Sequence, residues 1–216
     1  MITTEVNYNK AFELFVGKDQ LRPIMHQPFK QQGFYFATDA MGLIYMPINE
    51  AELNYQEQDK PSCFLIIPKK QDVNIEININ ELEAKLVPEL IDEMKVTQKE
   101  VECKECDGDG SVECDLGHDH ECTECDGTGE VESEIKEPTG NKIPNPDKPF
   151  IMFGVAFAYW QLKRLVDTCK VLDVEQIIKT NGSTTQGNVF NLGKINVMIM
   201  PLSIYGIEGK ETVTIF

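Results

Sequence analysis

Apolar residues change period along this chain, and each change marks a different element. Tyr8, Ala11, Phe12, Phe15 and Val16 recur at helical spacing and predict an amphipathic helix over roughly 7–18. Three strand candidates follow, at Ile24 to Phe29, Phe34 to Thr38 and Leu43 to Met46, with turns at Gly33 and at Asp39 to Gly42. The same order returns near the C-terminus. Leu162, Leu165, Val166, Cys169 and Leu172 mark one face of a helix at about 158–172. Strands are then expected at Val174 to Lys179, Asn188 to Leu192 and Lys194 to Leu202, with Asn181-Gly182 and Gly193 as turns. Short strands are expected before each helix, at Ile2 to Val6 and Ile151 to Phe157. Each half thus reads strand–helix–strand–strand–strand over about 50 residues, an internal structural repeat. Between the halves, Cys63 to Ile67 and the strictly alternating Val73 to Ile79 predict two more strands, and Asn80 to Leu86 a short helix stopped near Pro88.

The middle of the chain has another character. Val96 to Glu102 and Glu130 to Ile135 alternate apolar with polar residues and predict two antiparallel strands. The stretch 137–149 holds four prolines and reads as a stiff linker. The expected organisation is a discontinuous α+β domain over 1–91 and 148–216, an insert over 92–137 and a Pro-rich linker over 138–147.

Charge follows the same division. The chain carries 36 acids and 20 bases, a net of −16. From Asp92 to Glu137 there are 17 acids against four bases, a net of −13, so the rest of the chain is nearly neutral. That balance excludes a broad phosphate-binding surface, which needs clustered Lys and Arg. Hydrophobic residues make up 41% and charged residues 26%, which suits a globular protein. No apolar run is long enough to span a membrane, and the N-terminus lacks a signal-peptide pattern, so a soluble cytoplasmic protein is expected.

Five of the seven cysteines lie between Cys103 and Cys125. Two near-identical units stand out, Cys103-x-x-Cys106-Asp-Gly-Asp-Gly110 and Cys122-x-x-Cys125-Asp-Gly-Thr-Gly129. Fifteen residues separate Cys106 from Cys122, within zinc-ribbon spacing. Two residues between thiolates let one tight knuckle present both sulfurs to one ion, and the glycines after each pair allow the backbone to turn back beneath it. One structural Zn2+ per chain, held by Cys103, Cys106, Cys122 and Cys125, is the expectation. A pair of redox dithiols is the alternative, although a redox dithiol usually appears singly at a helix N-terminus. Cys114, His118 and His120 either replace one ligand, form a weak second site or are exposed loop residues.

The two units resemble the cysteine-rich domain of DnaJ-type co-chaperones, whose repeat is C-x-x-C-x-G-x-G. That family carries four repeats and two zinc ions, so the likeness covers half of such a domain and implies a zinc fold. The rest of the chain resembles the sliding-clamp fold of the bacterial replicative polymerase β subunit. Gly33-Phe-Tyr-Phe-Ala-Thr-Asp39 looks like the clamp segment ending in Ala-Thr-Asp, with Met41-Gly42 where the clamp commonly has His-Arg. Tyr159 to Leu172 with Val174 to Lys179 looks like the helix and strand near the clamp's C-terminus, and Ile199-Met-Pro-Leu-Ser-Ile204 like its last strand. The resemblance implies one clamp-like domain where a clamp protomer has three, so a closed ring would need about six copies.

Several functional expectations follow from that resemblance. A non-enzymatic, clamp-related accessory of DNA replication, of phage or mobile-element origin, would contact phosphate through Lys10, Lys18, Lys163, Arg164 and Lys170, and DNA only as an oligomer. Met200, Pro201 and Leu202 match the clamp segment that lines a groove for partner peptides. The alternative is a zinc-dependent protein-interaction or chaperone-like adaptor, whose acids choose a basic partner. No Ser-His-Asp order, P-loop, dinucleotide fingerprint or His-Glu-x-x-His motif occurs, so neither an enzyme nor a small-molecule substrate is expected.

Overall fold

A computed structural model describes residues 2–69, 71, 73–115, 117–203 and 208–216. The chain divides into two compact units, 1–89 with 145–216, and 90–144.

In chain order, the first unit begins with α1 (Ile2–Glu13), β1 (Phe29–Gln31), β2 (Phe34–Thr38), β3 (Gly42–Pro47), β4 (Gln56–Glu57), β5 (Ile75–Asn78) and α2 (Ile79–Lys85). The second unit supplies β6 (Leu90–Glu102), β7 (Ser111–Glu113), β8 (Asp119–Glu121) and β9 (Glu130–Pro144). The first unit then resumes with β10 (Phe150–Met152), β11 (Val155–Phe157), α3 (Tyr159–Val171), β12 (Gln176–Lys179), β13 (Asn188–Asn191), β14 (Asn196–Ile199) and β15 (Val213–Thr214).

Eight strands form one sheet in the order β4-β1-β2-β3-β14-β13-β12-β5. The repeat is visible in that order. Each half is a helix followed by a three-stranded antiparallel meander, β1-β2-β3 after α1 and β12-β13-β14 after α3. The last strands of the two meanders, β3 and β14, pair antiparallel at the centre, Ile44 opposite Val197. The outer edges differ, since β4 runs parallel to β1 while β5 runs antiparallel to β12.

The central strands are apolar on both faces because both faces are covered. One face joins the helices in a core that includes Phe12 from α1 and Phe15 just past its end, Leu162, Leu165 and Cys169 from α3, and Ala37, Ile44 and Val197 from the sheet. These side chains are fully buried, and truncating Phe12 or Phe15 to Ala would cost about 3–5 kcal/mol. The other face, with Phe29, Phe36, Leu43, Tyr45, Val189 and Met198, packs against Cys63, Phe64 and Ile67.

Several expectations are corrected. The stretch Ile2 to Val6 is the beginning of α1 and not a strand, and the helix stops at Glu13. Ile24 to Phe29 is a 3-10 turn at Pro23–Met25 leading into β1, because Pro23 starts the turn and lacks the N–H a strand would use. Cys63 to Leu65 is likewise a 3-10 turn, its apolar run serving as a cover for the sheet. Ile151 to Phe157 is a hairpin whose turn sits at Phe153 and Gly154, both with positive φ, and it joins β15 in a separate three-stranded sheet. The short helix α2 is capped as its sequence suggests, Asn78 Oδ1 accepting from the Glu81 N–H at 3.0 Å. Ile204, the end of the quoted clamp-like segment, lies outside the described residues.

Within the second unit, β6 and β9 pair antiparallel from Glu102↔Glu130 to Leu90↔Pro144, with a bulge near Asp92. The linker expected over 138–147 is therefore strand as far as Pro144. A two-stranded ribbon tolerates this because each strand has a free edge, where a missing proline N–H is no loss.

Candidate metal centre and clefts

Two turns of the second unit bring Cys103, Cys106, Cys122 and Cys125 together, with all four sulfurs within 4.8 Å of one another. Cys103 and Cys122 Sγ are 3.8 Å apart, as are Cys106 and Cys125 Sγ. The cysteines form no disulfide. A tetrahedral ion with metal–sulfur bonds of about 2.3 Å requires sulfur–sulfur edges of about 3.8 Å. The donor set therefore fits such an ion as it stands.

The two knuckles hold each other reciprocally. The Cys103 N–H donates to the Gly129 carbonyl and the Cys122 N–H to the Gly110 carbonyl, both at 2.8 Å. The Gly110 N–H points at Cys106 Sγ from 3.2 Å and the Gly129 N–H at Cys125 Sγ from 3.3 Å. Such N–H donors favour thiolates over thiols. Glycine is required here for two reasons. Gly110 and Gly129 have φ of 73° and 79°. A Cβ on Gly110 would lie 2.3 Å from the Gly127 oxygen, and one on Gly129 2.1 Å from the Gly108 oxygen.

Burial pushes the Cys106 thiol up to about 12 and raises Cys122 too. Burial opposes ionisation at Cys125 as well, but the Gly129 N–H and the neighbouring thiols outweigh it and bring that thiol to about 7. Four buried thiols this close cannot all ionise without a cation between them. Beyond the four cysteines, this unit's buried cluster gains, among the described residues, only the partly buried Val112 and Val131.

Cys114, His118 and His120 stand outside the four-sulfur group. The Cys114 N–H donates to the His118 carbonyl at 2.9 Å, and His120 lies opposite Val112 in the β7–β8 pair.

In the first unit the expected DNA-contacting cations are mostly engaged. Lys163 pairs with Asp167 one helical turn on, and Lys170 with Glu83 of α2 at 2.5 Å. Arg164 is a correction. It is turned inward, Nη1 donating to Asp39 Oδ2 at 2.6 Å, with its guanidinium over the rings of Phe15 and Trp160 at 4.5 and 5.0 Å. Only 11% of its side chain is exposed, so it does not meet phosphate. Lys10 and Lys18 are exposed and have no carboxylate partner among the described residues.

Met200 lines a cleft of about 670 Å³ with Ala40, Leu65, Ile66, Ile67 and Pro68. Its backbone is pinned on both sides, the N–H donating to the Met41 carbonyl at 3.1 Å and the carbonyl accepting from Gln161 Nε2 at 2.9 Å. Leu65 is 85% exposed and Ile66 52%. Pro201 and Leu202 do not line the cleft. Leu202 instead donates its N–H to the Ala156 carbonyl at 2.8 Å. Sequence reasoning missed Leu65 and Ile66, since a five-residue apolar run reads as a strand when it is in fact an exposed turn. The flanking Pro61-Ser62 and Pro68 were the available signal.

No protein-family model matches the chain, and no curated protein matches it. Solved structures similar to it include the DNA polymerase sliding clamp from Bacillus subtilis, at 15% identity over 94% of this chain and 63% of that chain, with a TM-score of 0.47. Caulobacter crescentus pol III beta is 11% identical over 92% of this chain and 64% of that chain, with a TM-score of 0.49. The Helicobacter pylori beta clamp bound to a DNA ligase peptide is 11% identical over 92% and 63%, with a TM-score of 0.48. The chain spans less than two thirds of the length of these clamps. Its structural neighbours are thus DNA polymerase III beta sliding clamps, at low identity.

Proposed function

We propose that this chain is a non-enzymatic docking protein, a clamp-related accessory of DNA replication, in which a structural zinc ion holds the cysteine knuckles and the cleft at Met200 receives an apolar segment of a protein partner. The observation that carries the reading is the cleft itself. Exposed Leu65 and Ile66 are costly to leave in water, and they face a pinned Met200 across a space large enough for two or three side chains. Lys69, Gln71 and Gln186 form a polar rim with no acid among the described residues, which suits a partner segment carrying a carboxylate beside its apolar anchors. The occupant is a peptide, of the kind the Helicobacter pylori clamp holds.

Zinc is the metal we assign. An all-thiolate tetrahedral set is its commonest structural environment, and four protein ligands leave no open position for chemistry. DNA enters this reading only through an oligomer. With Lys163, Arg164 and Lys170 engaged by Asp167, Asp39 and Glu83, a single copy has few cations to offer.

A second reading has its own observation. Glu100 and Glu132 face each other across the β6–β9 ribbon, as do Glu102 and Glu130, and all four are exposed. Like charges placed directly opposite are destabilising, so this face would gain from a basic protein partner. In that case the ribbon is the reader and the chain an adaptor.

The test is fluorescence polarisation with labelled synthetic peptides carrying Leu and Phe anchors and one acid, against the zinc-loaded chain. Saturable micromolar binding that falls about tenfold in Leu65→Asp, with thermal unfolding unchanged, supports the docking reading. Binding that ignores Leu65→Asp but vanishes when Glu100 and Glu132 become Lys, or appears only with Lys-rich peptides, gives the adaptor reading instead.

A further inference from the structure

On the outer face of the eight-stranded sheet, β3, β14, β13 and β12 place Tyr45, Asn196, Asn191 and Ile178 in one cross-strand row, each directly opposite the next. The neighbouring row is Leu43, Met198 and Val189, apolar throughout and part of the outer cluster. Packing against that cluster favours apolar residues, so two amides in adjacent strands need a reason. Part of it is local. Asn191 Nδ2 donates to the Gly193 carbonyl at 3.2 Å and its Oδ1 accepts the Gly193 N–H, which closes the β13–β14 turn. That accounts for Asn191 and leaves Asn196 and Tyr45 unexplained.

Asn196 Oδ1 accepts from Asn191 Nδ2 at 3.0 Å, which fixes the amide so that its own Nδ2 points away from that bond. Neither Asn196 Nδ2 nor the Tyr45 hydroxyl has a hydrogen-bond partner among the described residues. Both residues line a cleft of about 460 Å³ between the sheet and residues 67–69 and 74. Lys69 and Asn74 stand over it, and Ile67, Pro68, Ile178 and Val189 supply apolar walls. Among its described lining residues Lys69 is the single charged group, and none of them is an acid.

We propose that this cleft binds a small organic oxyanion, a carboxylate or a phosphate monoester, with its oxygens on the Tyr45, Asn196 and Lys69 donors and its apolar body against Ile67 and Ile178. A fixed amide and a hydroxyl offer directed donors, the ammonium supplies charge, and the walls desolvate the bond. A group of this kind is larger than a bare ion and fits the volume. Burial raises the Tyr45 phenol to about 12, so it remains a donor throughout the working range of pH. The site is separate from the Met200 cleft, although Ile67, Pro68 and Lys69 border both, and it does not depend on peptide docking.

Three probes sharing one body separate the contributions: benzoate, phenyl phosphate and benzyl alcohol. Each is titrated into the zinc-loaded, nitrogen-15-labelled chain while the Asn191 and Asn196 side-chain amides are followed. At least one anion is expected to saturate below about 1 mM, with benzyl alcohol at least about tenfold weaker. Which anion binds tighter identifies the head group. Asn196→Leu and Lys69→Gln should each weaken the better anion by roughly tenfold, the loss of one charge-assisted hydrogen bond. Tyr45→Phe, which removes only a hydroxyl, keeps the test open if Asn196→Leu unfolds. The proposal is overturned if the alcohol binds as well as the anions, if no anion saturates below about 10 mM, or if Lys69→Gln and Tyr45→Phe leave binding unchanged.

Discussion

Arg164 on α3 reaches Asp39 in the turn between β2 and β3, Nη1 to Oδ2 at 2.6 Å, and so ties the second half of the repeat to the first. Asp39 is held for this contact. Its other carboxylate oxygen accepts the Met41 and Gly42 N–H groups at 3.0 and 2.8 Å. Gly42 completes the arrangement, since a Cβ there would lie 2.7 Å from Arg164 Nη2.

Removing one partner should cost more than removing both. Asp39→Ala leaves a largely buried guanidinium with the Leu14 carbonyl at 3.4 Å and two ring faces, and also opens the turn. A loss of about 2–4 kcal/mol by urea denaturation is expected, and the Asp39→Ala/Arg164→Met double variant should recover part of it. Additive losses would show that the pair is not coupled.

Gly110→Ala and Gly129→Ala should each prevent the knuckles from closing. The added methyl meets a backbone oxygen at 2.3 or 2.1 Å, which no side-chain movement relieves. Zinc affinity, followed by chelator competition, should fall by at least about a hundredfold. Gly140→Ala is the control, with a positive φ of 87° and nothing near its Cβ, so it should cost about 1 kcal/mol of strain and leave zinc in place.

Metal removal should melt residues 90–144 and spare the rest. Among the described residues, the buried cluster of this unit is the four cysteines with two valines packed on it, too little to offset ordering entropy without an ion. The first unit has its own core. Protein purified without chelator should hold about one equivalent of zinc. Hydrogen exchange after chelation should rise across 90–144 alone, and a global rise would disprove the independence of the units.

Lys179 is fully buried on β12, where Nζ donates to the Asn181 carbonyl and faces no carboxylate among the described residues. Burial lowers its pKa from 10.5 to about 8. The unfolded chain therefore binds more protons than the folded one between those values, and this group's penalty shrinks as pH rises from about 8 to 10.5. Lys179→Met should be more stable than the parent by about 3 kcal/mol below pH 8, with the gap closing by pH 10.5. A gap independent of pH would mean the ammonium is solvated. Comparing the two proteins cancels Tyr45, Cys63 and Cys169, whose raised values act on both alike.

The isolated chain should bind duplex DNA no tighter than about 10⁻⁴ M in physiological salt, because its helix cations are engaged within the chain. Electrophoretic or anisotropy titration checks this. Micromolar binding by a monomer would show that Lys10 and Lys18 do more than their number suggests.

The clustering of the four cysteines that could hold a metal ion was legible in residue order alone. The turns after each Cys-x-x-Cys are local, their glycines are required by positive φ, and fifteen intervening residues suffice to return the chain to the same point, so spacing carried the geometry. The α3 face was legible because periodicity reports burial on a single element, and β2 and β3 because turn residues bound short apolar runs, whereas only 7–13 of the first predicted helix is helical. What lay beyond reach depended on distant partners. Nothing local separates Arg164 from Lys163 and Lys170 as a DNA contact. Only the approach of Asp39, 125 residues earlier, turns it inward. Cys63 to Ile67 has the composition of a strand, yet it packs across the outer face of the sheet and joins no ladder, so the segment becomes a cover that leaves Leu65 and Ile66 in water. The prolines at 138 and 144 read as a break, but a ribbon with two free edges accommodates them. Local chemistry decided the cysteine knuckles and the α3 face, while pairing between residues far apart in the chain decided which polar groups were used up inside the fold and which were left exposed.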